Sequence, residues 1–138
     1  MYESTTQIRV RYGETDQMGF LYYGHYALYY EVGRTDAFRQ LGVTYKSMEE
    51  MGITMPVIEL NSKYLRPAKY DDLLTVKTKI KEWPSGHTIT FHTEIFNENG
   101  RLLNTGTVTL VFYDAINKKK TTLPENLKHL LSPFFENL

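Results

Sequence analysis

The chain has 138 residues, 41% of them hydrophobic and 23% charged, a size and balance that allow one domain to bury its own core. Sixteen basic and sixteen acidic residues cancel, which removes the long-range field that would draw the chain to nucleic acid or to an anionic membrane. There is no cysteine, so disulfides, thiolate nucleophiles and Cys-based metal sites are excluded, as suits a cytoplasmic protein.

The N-terminal MYESTTQIRV is polar and lacks the apolar core of a secretory signal. No apolar run approaches the roughly 18 residues needed to span a membrane. Residues 5–12 (TTQIRVRY) alternate, with Ile8, Val10 and Tyr12 opposite Arg9 and Arg11, and this predicts a strand. Residues 13–24 hold three glycines without a period and read as a structured loop. From His25 to Leu41 the pattern is helical, with Tyr26, Tyr30, Gly33, Ala37 and Leu41 on one stripe. Leu28, Tyr29 and Val32 widen it, so the helix is expected to be buried around most of its girth. Gly42 is a natural end for it. A short amphipathic piece, YKSMEEMG, closes at Gly52.

A strand meander follows. Ile53–Tyr64 is extended. Leu74, Val76, Thr78 and Ile80 alternate against Thr75, Lys77, Lys79 and Lys81, a strand with one wet face. Pro84-Ser85-Gly86 is a turn, and Ile89, Phe91, Thr93 and Ile95 form the inner face of the next strand. Asn99-Gly100 predicts a two-residue hairpin turn with both positions at positive φ. LLNTGTVTLVFYDA reads as one last strand, 117–120 as a charged loop and 124–131 as a terminal helix. The fold class is therefore α+β over residues 1–138, a curled antiparallel sheet wrapped around one long central helix. Open sheet edges in such an arrangement predict self-association.

Much familiar chemistry is missing. No GxSxG occurs, and none of the five serines has a histidine in nucleophile context. No GxG occurs, so dinucleotide and P-loop fingerprints are absent. His25, His87, His92 and His129 have no metal-ligand spacing. Lys118–Lys120 suits either a phosphate contact or a solvated turn. What remains is RYGETDQMGFLYYGHY, residues 11–26, where Asp16 precedes the helix with Gly19 and Gly24 between. A helix start offers unpaired amides with about half a positive charge. A backbone N–H of Tyr23 or Gly24 would polarise a carbonyl there, and a carboxylate opposite would attack it or activate water. The glycines would let substrate approach the backbone. An Asx-turn or cap is the commoner reason for an Asp at such a spacing.

The stretch YGETDQMGFLYYGHY, with YYEVGRTDAF after it, resembles the signature of hotdog-fold acyl-CoA thioesterases, most like the 4-hydroxybenzoyl-CoA group and the Tol–Pal-associated bacterial thioesterases. YLRPAKYDDLLTVKTKIKEW is similar to the segment that follows the helix in that family, and the likeness covers about residues 5–115. It implies hydrolysis of a coenzyme A thioester with no metal or cofactor. Asp16 matches the catalytic aspartate, nucleophile or general base, and Tyr23 the residue whose backbone N–H holds the thioester oxygen. Tyr12 falls at a commonly aromatic position. Glu31, Arg34 and Thr35 match a recurrent acidic-x-x-Arg-Thr stretch, with Glu31 read as a structural or dimer-contact residue. Many relatives carry histidine at the place of Tyr23; here His25, two residues on, is the nearest. The basic cluster that grips the nucleotide phosphates after the equivalent of Trp83 is replaced by Pro-Ser-Gly-His. Phosphate contacts are then expected from Arg66, Lys69, His87 or Lys118–Lys120, and acyl-carrier-protein thioesters join the candidate substrates. The resemblance also implies a dimer or tetramer with the site between protomers. The competing readings are a hydratase using His25 and a non-catalytic acyl-thioester binding module.

Overall fold

The structure is a computed structural model and describes residues 1–136; Asn137 and Leu138, the last of the expected domain, lie outside the described residues. Strands β1 (Tyr2–Arg9), β3 (Val57–Tyr64), β4 (Leu73–Ile80), β5 (Thr88–Phe96) and β6 (Leu102–Val111) form an antiparallel sheet in the order β1-β4-β5-β6-β3. Helix α1 (Tyr26–Leu41) lies on its inner face, followed by α2 (Tyr45–Glu50) and β2 (Ile53–Thr54). Strand β2 joins β7 (Tyr113–Asp114) and β8 (Lys119–Lys120) in a small second sheet, and α3 (Glu125–Leu131) follows.

The period-2 pattern is realised in β4 and β5. Leu74, Val76, Thr78 and Ile80, and Ile89, Phe91, Thr93 and Ile95, are all buried. Helix α1 crosses β4 at Gly33, where a Cβ would stand 2.6 Å from Thr78 Oγ1 and 2.9 Å from Val76 Cγ1. Gly42, at φ 109°, ends the helix by donating its N–H to the Phe38 and Arg39 carbonyls. Polar pins complete the seat: Tyr2 OH donates to the Ala37 carbonyl at 2.7 Å, and Thr6 Oγ1 donates to Asp36 at 2.7 Å. Tyr30 OH reaches Ser62 on β3 and Asn104 on β6.

Four local expectations are corrected. Strand β1 starts at Tyr2 and stops at Arg9, and Tyr12 lies in a 3₁₀ turn, because the Arg11 N–H bonds to the Glu14 carboxylate and curls the chain. Leu28 and Val32 are 51% and 43% exposed, so α1 keeps one open apolar face. The Asn99-Gly100 hairpin is longer than two residues: only Gly100 has positive φ (76°), and the Asn97 side chain accepts from the Asn99 and Arg101 N–H groups. The register shifts between Ile95 and Phe96 to take up the extra residue. The last strand breaks at Phe112, beyond which β7 pairs with Lys119–Lys120 where a loop was expected.

Candidate active site

Residues 14–22 form a tight hairpin between β1 and α1. The Tyr22 N–H donates to the Glu14 carbonyl at 2.9 Å, Thr15 bridges Leu21, and the Asp16 N–H donates to the Phe20 carbonyl at 2.8 Å. Asp16 sits at the tip. Its Oδ1 accepts from the Met18 N–H at 2.9 Å and the Phe20 N–H at 3.1 Å, and Gly19 closes the turn at φ 80°. The Asx-turn is therefore formed, and it occupies one carboxylate oxygen. Among the described residues Oδ2 has no hydrogen-bond partner. Asp16 borders an open cleft of about 670 Å³, lined also by Tyr12, Gly13, Thr15, Gln17, Gly19 and Tyr70.

The returning arm leads into a 3₁₀ turn, Tyr23–His25, that feeds α1. The His25 N–H is satisfied by the Tyr22 carbonyl at 2.9 Å. The Tyr23 and Gly24 N–H groups have no acceptor among the described residues, as expected of the first amides of a helical turn. Aromatic rings surround this entry: Tyr22 packs on Tyr23 at 4.6 Å and on His25 at 5.9 Å, and Tyr64 meets Tyr23 at 6.5 Å and Tyr26 at 5.1 Å. Gly24 is tight on its free side, since a Cβ there would meet the Tyr22 ring at 2.6 Å.

Tyr12 is 80% exposed and meets Tyr70 edge to face at 5.7 Å, so the two flank the Asp16 cleft. Lys69 pairs with Phe20 through the backbone, and Arg66 is exposed on the same β3–β4 connection. His87 lies at the other end of the sheet, where its Nδ1 contacts the Thr121 carbonyl at 2.8 Å. Strand β5, nine residues and about 30 Å long, separates that end from the hairpin. Lys118–Lys120 share the His87 end. Within one chain the fold thus gathers Tyr12, Asp16, Gly19, Tyr23, Gly24, His25, Arg66 and Lys69, and leaves His87 apart. On α1, Glu31 is exposed, Thr35 half-buried and Arg34 buried with its Nε lacking a partner among the described residues.

Two further residues matter, Glu14 and Tyr29, whose polar contacts the sequence reading did not reach. Glu14 is buried; its Oε1 accepts from the Arg11 N–H at 3.0 Å and from Tyr29 OH at 2.7 Å, and its Oε2 from the Arg11 guanidinium at 3.0 Å. Burial alone would raise its pKa, but the hydrogen bonds from Arg11 and Tyr29 and the Arg11 charge hold it below the usual carboxylate value. Tyr29 is pushed up strongly, by burial first and by Glu14 second. The i, i+3 spacing of Arg11 and Glu14 was a visible signal. The Tyr29 hydroxyl had none, because its ring alone explains its place on an apolar face.

The family model described as the thioesterase-like superfamily matches residues 10–131. A putative acyl-CoA thioesterase, YneP, of Bacillus subtilis (strain 168) is 38% identical over 102 residues, 74% of this chain and 73% of that protein. The acyl-CoA thioesterase YbgC of Haemophilus influenzae is 33% identical over 122 residues, 88% of each chain. Among solved structures, a DHNA-CoA thioesterase from Staphylococcus aureus superposes with a TM-score of 0.83 at 36% identity, covering 99% of this chain and 86% of that one. A family match over most of the chain, with the curled sheet and central helix found above, leaves one assignment: the protein belongs to the thioesterase-like superfamily and has its hotdog fold.

Proposed function

We propose that this chain hydrolyses the thioester bond of a small acyl- or aryl-CoA, with the Asp16 Oδ2 as the reacting oxygen and the Tyr23 N–H as the oxyanion donor. The observation that carries this reading is the asymmetry of Asp16. Two backbone amides hold Oδ1 and fix the side chain, while Oδ2 has no partner among the described residues and Asp16 lines a cleft. Tyr23 is three residues beyond Phe20, the pairing partner of Asp16, or roughly 10 Å along the arm at about 3.3 Å per residue. An aspartate side chain, an approach distance of about 3 Å, a carbonyl bond of about 1.2 Å and a hydrogen bond of about 2.9 Å together span such a gap. If the carboxylate attacks the carbonyl carbon, the C–S bond breaks to release the thiol and leaves a mixed anhydride on Asp16, which water then hydrolyses to free the acid and restore the carboxylate. If it takes a proton from water instead, the hydroxide adds to the carbonyl carbon and the C–S bond breaks directly. Either route consumes one water and gives a carboxylic acid and free thiol. An oxyanion donor of this kind contributes about 10²- to 10³-fold in rate.

The active form is read as a homo-oligomer. Strand β3 is a sheet edge, and Val57, Ile58, Leu60, Tyr64 and Leu65 beside it are 43% to 59% exposed. An antiparallel two-fold pairing of β3 with β3 would cover that edge. It would also carry the His87 end of a second copy to the Asp16 end of the first. His87 and Lys118–Lys120 would then act on the nucleotide phosphates from across the interface, and Arg66 and Lys69 from the same chain. The cysteine-free composition supports action in the cytoplasm.

The test is thiol release from short, long and aromatic acyl-CoAs and from acyl-carrier-protein thioesters, by wild type and by Asp16→Asn. Wild-type turnover of a CoA ester with a loss of at least about a hundredfold in kcat for the variant supports the reading. Equal rates for the two proteins overturn it.

A further inference from the structure

Glu14 uses its side chain and its backbone to tie two parts of the site together. Its carboxylate receives the Tyr29 hydroxyl, one turn inside α1, and its carbonyl receives the Tyr22 N–H, next to the proposed oxyanion donor. Arg11 closes the other side through both its backbone N–H and its guanidinium. Among the described residues, Tyr29–Glu14 is the only side-chain hydrogen bond from residues 11–22 into α1. The hairpin's remaining ties lead to the β3–β4 connection: the Leu21 N–H to the Ala68 carbonyl, the Tyr70 N–H to the Gly19 carbonyl, and the Phe20–Lys69 bridge.

We propose that Glu14 is a positioning residue, a buried strut that fixes the Asp16 hairpin against α1 and so sets the distance between the Asp16 carboxylate and the helix-entry amides. The proposal rests on the hydrolase reading of Asp16. The physical reason is leverage: Asp16 is at the tip of a short hairpin, and a misplacement of about 1 Å at a reacting group costs on the order of 100-fold in rate. An ionised acceptor is suited to the task, because hydrogen bonds to charged groups are about twice as strong as neutral ones.

Tyr29→Phe cuts the strut and keeps the ring; Glu14→Gln keeps an oxygen for the Tyr29 hydroxyl and the Arg11 N–H but removes the charge and the bond to the Arg11 guanidinium. Tyr2→Phe is the control, since Tyr2 also has a buried hydroxyl with one bond into α1, to the Ala37 carbonyl. The measurements are kcat, KM and Tm, with amide exchange at Met18 and Phe20, whose N–H groups hold Asp16. Tyr29→Phe should lose about tenfold or more in kcat with KM within about twofold and exchange those two amides faster; Glu14→Gln, which weakens the strut without cutting it, should change kcat and exchange in the same direction by less. Tyr2→Phe should lower Tm by a similar amount and leave kcat and the two amides as in wild type. Equal kcat losses in Tyr29→Phe and Tyr2→Phe, or unchanged exchange at Met18 and Phe20, overturn the strut. If Asp16→Asn stays fully active, the hydrolase reading falls instead, and the exchange result still decides whether Glu14 positions the hairpin.

Discussion

Two hairpin turns in this molecule, at 16–20 and 97–101, are built on one hydrogen-bond plan. In DQMGF the Asp16 Oδ1 accepts from the N–H groups two and four residues on, and the Asp16 carbonyl accepts from Gly19. In NENGR the Asn97 Oδ1 accepts from Asn99 and Arg101, and the Asn97 carbonyl from Gly100. The glycines stand at φ 80° and 76°. Both turns use a single side-chain oxygen, so the second atom is structurally idle: NH₂ at position 97, a carboxylate oxygen at position 16. Turn geometry therefore does not require a carboxylate at Asp16. Both turns border a cleft, about 670 Å³ at Asp16 and about 510 Å³ at Asn97; what distinguishes the Asp16 turn is the helix entry a few residues on, where the Tyr23 and Gly24 amides have no acceptor among the described residues.

The largest expected effect follows directly. Asp16→Asn reproduces a turn the protein already builds at 97–101, so Tm should move by less than about 2 °C while kcat falls by at least about a hundredfold. A thermal melt run beside the thiol-release assay checks both halves. A large Tm loss would mean that the carboxylate stabilises the turn in a way Asn97 does not, and the comparison would break.

Gly19→Ala and Gly100→Ala come next. A Cβ meets nothing within 4 Å at either position, so the cost is the left-handed backbone alone. That strain is about 1 to 2 kcal/mol for a residue with a Cβ, and denaturant melts should show similar losses for both. Only Gly19→Ala should also reduce turnover, because only that turn holds Asp16 a few residues from the helix-entry amides.

Acid stability gives a smaller effect. Arg11 and Tyr29 are the ionisable groups that face Glu14, and together they hold its pKa below 4.5, the ordinary value, in the folded state. A depressed carboxylate contributes stability that is present above its unfolded pKa and lost as pH falls through its folded pKa. Stability should therefore decline from about pH 4.5 downward, and Glu14→Gln should flatten that decline without abolishing it. Glu94, held down by Lys79, and Asp114, held down by Asn117, contribute to the same limb. Melts across pH 3 to 7 on both proteins check it; parallel curves would remove Glu14 from the account.

The same contrast marks what sequence could reach. Alternation placed Leu74–Ile80 and Ile89–Ile95 correctly, because burial on one sheet face dictates a period of two. Gly42 was legible because a helix end needs the left-handed conformation. Spacing pointed to Asp16 and to an amide at Tyr23 or Gly24 but favoured an Asx-turn, and that turn is present; the catalytic roles came from the resemblance. Glu14 escaped because a buried acid is announced by its partners, and Tyr29 is fifteen residues away. The distance between His87 and Asp16 escaped for a related reason: strand order and sheet length, not sequence proximity, set it.

The smallest expected effect is the reciprocal exchange, Asn97→Asp. The new carboxylate would accept from the Asn99 and Arg101 amides as the amide oxygen does now, with its second oxygen at an exposed hairpin end. Its neighbour Glu98 already accepts from the Leu73 N–H at 2.9 Å, so two carboxylates would stand side by side. Repulsion between exposed charges in water is small and screened by salt. Tm should therefore shift by less than about 2 °C at neutral pH, with the deficit shrinking as salt is added, and turnover should equal wild type. A carboxylate in the same turn without helix-entry amides beyond it would then be chemically silent. That outcome assigns the reactivity of Asp16 to what the fold sets opposite it, and not to the turn that holds it.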